Sequence, residues 1–430
     1  MTASSIPWLF CSRPPAKRAQ MTFPFRELEL ENRLLALQNA LLRSSEARRK
    51  VLSPEAQAVR DFGRALFAAL FRDDIRSAYD VSRRMAREQD CGLRLKLRIL
   101  APELAALPWE YLFDERPDEY VCLSYGTPVV RFLEAAQPIS PLVVTPPLRI
   151  LFMVAAPAGL AELDVASERQ KLERAVAGLA ERGLVQLHWM EGQTRRDLHR
   201  AMRPGRGPWH IFHFVGHGGF DPLREEGVLA LCDPAGQPDL ITATELGREL
   251  ADHPTLRLVV LNACESAHAA KRDIFSSTAA TLVRRGVPAA IAMQYEITDR
   301  AAVEFAELFY EALAEGLPVD AAVTDARKGV SGAIRDTLEW GIPVLLTRSP
   351  DGVIFDVQRQ ADKETGRQGD EALKLDVVEQ KPPISEPPRV EVAEPALRLS
   401  GPQWSSPRCS TRRWPRACPS TRRSQTRARG

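Results

Sequence analysis

Six short apolar runs, at residues 149–155, 184–189, 209–215, 256–262, 288–293 and 343–346, alternate with helical periodicity at 167–182, 194–202, 244–251, 276–285, 299–315 and 319–334. Strands that short cannot cover themselves, and helices between them supply the crossovers that parallel pairing requires. The alternation therefore predicts an α/β fold, a mostly parallel twisted sheet with helices on both faces. Sheets of this kind place ligands beyond the carboxyl ends of their strands. Residues at the ends of the apolar runs become the first candidates for function.

The segment before this alternation reads differently. Leu28, Leu34, Leu35, Leu41 and Leu42, then Val59, Phe62, Leu66, Phe67 and Leu70, recur near i, i+3, i+4, i+7 and predict helices from 23 to about 87. Residues 93–99 switch to period two, with Arg94, Lys96 and Arg98 between apolar residues, a strand with one wet face. After Leu107-Pro108-Trp109-Glu110, whose tryptophan reads as an aromatic wedge against the sheet, the β-rich stretch 120–133 is expected to pair back on that strand as a hairpin. The expected organisation is a start at 1–20 outside the fold, a helical and β-hairpin lead-in over 21–147, an α/β domain over 148–358, and a tail over 359–430. Met21 has the look of a more natural start. Residues 359–400 mix charge with Pro382-Pro383 and Pro387-Pro388 and read as a linker, and the last thirty as disordered.

Composition closes off several function classes. No run approaches the ~18 apolar residues of a membrane helix, and the first twenty residues carry their cations after the apolar patch, the wrong order for a secretory signal. The seven cysteines are scattered without a Cys-x-x-Cys pair, so reduced thiols in a cytoplasm are expected rather than a disulfide framework or zinc ribbon. The net charge of +2 hides an asymmetry: residues 401–430 hold eight arginines and no acid, and residues 1–20 three cations and no acid, which leaves −9 for 21–400. The foldable part is acidic and is not expected to bind nucleic acid; Trp404 and Trp414 are too few to make the tail a stacking platform.

Two of the apolar runs end in reactive residues. One passes through Phe214-Val215 into Gly216-His217-Gly218-Gly219, and the other through Val260-Leu261 into Asn262-Ala263-Cys264, the cysteine standing 47 positions after the histidine. Caspase-type peptidases separate the two by about 50. Amide cleavage needs a nucleophile, a proton for the leaving amine and donors for the oxyanion. Cys264 is the candidate nucleophile, His217 its acid–base partner, and the backbone N–H groups of Gly218 and Cys264 the candidate oxyanion donors, the glycines letting the backbone approach a substrate. His213, inside the apolar run, reads as a hydrogen-bonded core residue. His210, on the other strand face, leaves no zinc set with His213 and His217. Asn262 and Glu265 flank the nucleophile and are candidates for orienting the loop. No phosphate-binding glycine loop, zinc-peptidase helix or serine elbow is present, and no cofactor is implied.

Taken together, Leu107-Pro108-Trp109-Glu110, Phe214-Val215-Gly216-His217-Gly218 and Leu261-Asn262-Ala263-Cys264-Glu265-Ser266-Ala267 resemble the CHAT domain, within the caspase and separase clan of cysteine peptidases. Ser266 stands where caspases have glycine. The resemblance spans roughly residues 55–350 and implies a caspase-like sheet, a His217/Cys264 dyad, a protein substrate, and a bacterial signalling or defence system with a repeat or nucleotide-binding regulatory partner. Tyr295-Glu296-Ile297-Thr298-Asp299 is similar to the separase stretch whose acid receives a basic substrate residue. Glu296 is the preferred pocket acid, because Asp299 also stands where a helix N-cap is expected. A cysteine endopeptidase is the leading expectation, and a non-catalytic CHAT scaffold the alternative.

Overall fold

The computed structural model describes residues 23–44, 54–99, 101–134, 139–264 and 274–358. The expectations for 1–20 and 359–430, and those for Glu265 and Ser266, fall outside them. Among these residues ten α-helices follow in chain order: α1 (Glu27–Ser44), α2 (Pro54–Leu70), α3 (Asp73–Glu88), α4 (Pro102–Ala105), α5 (Val165–Glu181), α6 (Arg195–Ala201), α7 (Ala243–Ala251), α8 (Ile274–Arg284), α9 (Asp299–Ala314) and α10 (Val319–Ala333). The main sheet has ten strands: β1 (Leu95–Leu97), β2 (Val129–Phe132), β3 (Leu148–Val154), β4 (Val185–Trp189), β5 (Ile211–Asp221), β6 (Glu226–Cys232), β7 (Pro238–Thr242), β8 (Leu258–Cys264), β9 (Ala289–Met293) and β10 (Pro343–Thr347).

Across the sheet the order is β1-β2-β10-β9-β8-β5-β3-β4. Every neighbouring pair on this path is parallel except β9 with β10. Strand parity divides the interior into two cores. Ile211 and Val215 of β5 and Leu258 and Val260 of β8 join the residues under α5, α9 and α10. Phe212, Phe214, Val259 and Leu261 face α6, α7 and α8. This is the mostly parallel, helix-flanked α/β sheet that the alternation predicts. Local signals start the helices where the crossovers need them: Thr194 with Asp197 and Thr242 with Glu245 form capping boxes, and the Asp164 carboxylate accepts from the Ala166 and Ser167 N–H groups.

The lead-in departs from expectation in three ways. β1 and β2 are parallel, Leu95 opposite Val129, not a hairpin, because the chain between them is long enough for a crossover; the hairpin forms inside that crossover, Phe113–Asp114 with Glu119–Tyr120. The basic residues of 93–99 only partly share a wet face: Lys96 is exposed, lying over the Phe132 ring at 4.8 Å, and Arg98 pairs with Glu134, but Arg94 Nη2 donates to Asp320 Oδ1 at 2.9 Å with both side chains buried. Cys91 is disulfide-bonded, where reduced thiols are expected. Trp109 does act as a wedge: it is fully buried and its Nε1 donates to the Leu104 carbonyl at 2.7 Å. Among the described residues no helix is long and apolar enough to cross a membrane.

Candidate active site

The apolar run at 209–215 predicts a strand that stops before His217. Instead β5 continues for eleven residues to Asp221 and folds back as β6. The physical reason lies in its neighbour. β3 pairs with β5 only as far as Val154 opposite Val215, then leaves the sheet, and β6 takes over the vacated edge with Ala230 opposite His217. The sequence after 217 hides this exchange, because its glycines read as a loop while Val228, Leu229 and Leu231 supply the partner strand.

Gly216 stands at the branch. A Cβ there would lie 2.7 Å from the Phe214 ring and 2.9 Å from the Ala155 carbonyl oxygen. Its missing side chain thus makes room for the departing β3, not for a substrate. The chain leaving β3 is tied down by Ala155 N–H to Val215 O, Ala156 N–H to Gln193 Oε1 and Ala158 N–H to Gly236 O, each 2.8–2.9 Å. It then crosses over His217, whose Nε2 lies 2.9 Å from the Ala161 carbonyl oxygen. A carbonyl only accepts, so Nε2 carries the proton and donates, which leaves Nδ1 as the nitrogen able to take a proton. No motif in the sequence marks Ala161 for this part.

On the other edge of β5 lies β8, and the register runs unbroken from Leu258 opposite Ile211 to Cys264 opposite His217. Paired residues in a parallel ladder share a face, so positions 217 and 264 are neighbours on the sheet face that carries α5 and α9. Cys264 closes β8, and its side chain is outside what the structure describes. Gly218, the next residue of β5, sits opposite Leu229. The other histidines of the run have no part in this rim. His213 is buried, with Nδ1 2.6 Å from the Tyr310 hydroxyl, and burial pushes its pKa down to about 3. His210 accepts from the Arg149 N–H at 3.0 Å, and burial with Arg149 nearby lowers it to about 4. Among the described residues no His, Cys, Asp and Glu side chains group to hold a metal ion.

β9 is the other neighbour of β8, with Leu258 opposite Ala289 through Leu261 opposite Ala292. That pairing ends at Leu261 opposite Ala292, and the same offset carried forward would set position 264 level with Tyr295, in the segment 294–298 that follows β9. Glu296 is exposed and Asp299 is exposed. Asp299 is not the N-cap: Thr298 caps α9, accepting from the Ala301 N–H, because its hydroxyl precedes the first helical residue. Asp299 instead pairs with Lys171 of α5 at 2.7 Å, and the same ammonium reaches Glu168 at 2.7 Å. Among the described residues no cation pairs with Glu296. Two buried carboxylates lie beneath this segment, Glu110 of the Leu107-Pro108-Trp109-Glu110 motif and Glu339, which sequence reasoning missed although an acid inside an apolar run was the visible signal.

The sequence profile of the CHAT domain matches residues 60–361, more than half of the chain. The chain belongs to the CHAT domain family. The matched CHAT region holds both His217 and Cys264, the 294–299 segment, and the Leu107-Pro108-Trp109-Glu110 motif. Among solved structures, the CHAT chain is similar to the Arg-specific cysteine proteinase gingipain R, with a TM-score of 0.37 and 10% identity over 75% of this chain and 76% of that one. It is also similar to separase in the Saccharomyces cerevisiae separase–securin complex, with a TM-score of 0.34 and 15% identity over 71% of this chain and 20% of that one. No curated protein matches it.

Proposed function

We propose that this CHAT protein is a cysteine endopeptidase that cuts a protein partner through His217 and Cys264. The observation that carries the reading is the ladder pairing of these two positions on one sheet face. In the reaction, the Cys264 thiol gives its proton to His217 and the thiolate attacks the scissile carbonyl carbon. The oxyanion that forms is received by the backbone N–H groups of Cys264 and Gly218. The imidazolium returns its proton to the amine as the C–N bond breaks, leaving a thioester. Water, deprotonated by His217, attacks the thioester and releases the carboxylate product and the thiol. The Ala161 carbonyl holds the ring through Nε2 so that Nδ1 handles the proton at both steps.

Glu296 is the proposed acid for a basic substrate residue, because it is exposed beside position 264 while Asp299 is already neutralised by Lys171. Arg would be held bidentately and Lys as a point charge. The proposed setting is a bacterial signalling or defence system in the cytoplasm, with a repeat or nucleotide-binding partner controlling the enzyme.

Profiling a peptide library with purified protein tests this. Cleavage after Arg or Lys is expected, with a loss of at least ~1,000-fold in kcat/KM for Cys264→Ala or His217→Ala. Iodoacetamide is expected to modify Cys264 faster than Cys122, whose thiol burial pushes up to about 12, and His217→Ala to remove that preference. Cleavage that survives Cys264→Ala would reject the dyad. A preference for apolar residues unmoved by Glu296→Gln would reject the pocket.

A further inference from the structure

Between the end of β9 and the start of α9, residues 294–298 belong to no helix or strand, yet both ends are clamped from below. At the near end, Gln294 N–H donates to the Ile342 carbonyl at 3.1 Å. The Gln294 side-chain amide donates to the Gly341 carbonyl at 2.7 Å and to Glu110 Oε2 at 3.2 Å. Glu110 is 1% exposed and is itself gripped by Arg131, through Nε at 3.2 Å and Nη2 at 2.8 Å. At the far end, Thr298 donates its N–H to Glu339 Oε1 at 2.9 Å and its hydroxyl to Oε2 at 2.8 Å. Glu339 is 3% exposed, and its own N–H donates to Thr337 Oγ1 at 3.1 Å. Of the three residues between, Ile297 is buried, Tyr295 is half-buried, and Glu296 alone is exposed.

We infer that Glu110 and Glu339 are positioning residues for substrate recognition, two buried carboxylates that staple the ends of 294–298 and hold Glu296 against the Cys264 rim. The inference rests on the peptidase reading for its consequence and on hydrogen bonds within the fold for its cause. Both staples come from single-turn helices, Trp109–Tyr111 and Glu339–Gly341, which α2 and α10 press against the sheet. Neither carboxylate touches the rim itself. Their effect passes through Gln294 and Thr298, and a carboxylate accepting two bonds from one threonine fixes both its backbone and its side chain. The motif Leu107-Pro108-Trp109-Glu110 therefore does more than wedge the lead-in: Trp109 seats the turn and Glu110 aims the loop.

The test uses the full chain with Thr298→Val, Thr298→Ser and Glu339→Gln, since removal of Glu110 breaks a buried ion pair with Arg131 and threatens folding. Hydrogen exchange of the 294–300 amides is expected to quicken at least about tenfold in Thr298→Val and Glu339→Gln, and to stay at the wild-type rate in Thr298→Ser. With a peptide carrying Arg at the scissile position, KM is expected to rise about tenfold in the same two variants with kcat within about twofold, as loss of ground-state binding demands. Unchanged exchange in Thr298→Val overturns the staple. Faster exchange with an unchanged KM in an active enzyme overturns its part in recognition. A wild-type protein that cuts no peptide counts against the peptidase reading alone, and the exchange measurement still decides the staple.

Discussion

A methyl group at position 216 would meet the Ala155 carbonyl oxygen at 2.9 Å, and backbone cannot give way as a flexible side chain can. Gly216→Ala is therefore expected to cost about 1–3 kcal/mol and, by pushing the β3 exit away, to loosen the Ala161 contact on His217. A lowered thermal midpoint together with slower Cys264 alkylation checks both halves. The buried histidines set a pH dependence. His213 and His210 are held neutral, at about 3 and about 4, against the ordinary unfolded value near 6.5. Below pH ~6.5 the unfolded chain binds protons that the folded chain refuses, so stability falls as pH drops through 6.5 and continues falling toward those lower values. Each is expected to contribute a few kcal/mol to that loss. Denaturant titrations at pH 7 and pH 4.5 measure it, and His210→Gln, which keeps an acceptor for the Arg149 N–H, is expected to flatten the slope.

At the scale of elements, the Arg94–Asp320 pair ties the entry of β1 to the first turn of α10. Gly352 closes over it with a φ of +71°, where a Cβ would sit 2.2 Å from Asp320 Oδ1. Asp320→Asn removes the carboxylate charge that meets the buried guanidinium at two nitrogens and is expected to destabilise by about 3–5 kcal/mol in a urea titration. This pair also shows where the sequence was legible and where it was not. Alternation at 93–99 announced a strand, but a period reports which side chains share a face and not what covers that face, so Arg94 looked solvated. The same limit applied at the site. His217 and Cys264 stood out as candidates because apolar runs led into them, and what the structure adds is that the two strands pair with these positions opposite each other. The length of β5, the contact from Ala161 and the staples at Glu110 and Glu339 were not legible, because each depends on a partner distant in the chain.

At the scale of the molecule, the lead-in is not an appendage. β2 pairs with β10 through Arg131 opposite Leu346, the Tyr111 hydroxyl donates to the Leu338 carbonyl at 2.8 Å, and Tyr111 packs on Trp340 with ring centres 5.2 Å apart. A fragment starting at residue 148 would expose that strand edge and the apolar face beneath it. It is expected to show no cooperative thermal transition by circular dichroism, whereas the full chain melts in one step; a sharp melt of the fragment would mean that the two halves fold separately. The handover from β3 to β6 along β5 carries a consequence for control of the protein. Because positions 217 and 264 form the last rung of the β5–β8 ladder, the backbone gap between them is an interstrand spacing of about 4.8 Å, a gauge set by the rungs before it. Widening it means fraying the carboxyl end of β8. A switch that leaves β5 and β8 paired would work on what surrounds the gauge, the crossing chain at Ala161 or the wall at 294–298, and its off state would be a fully folded one.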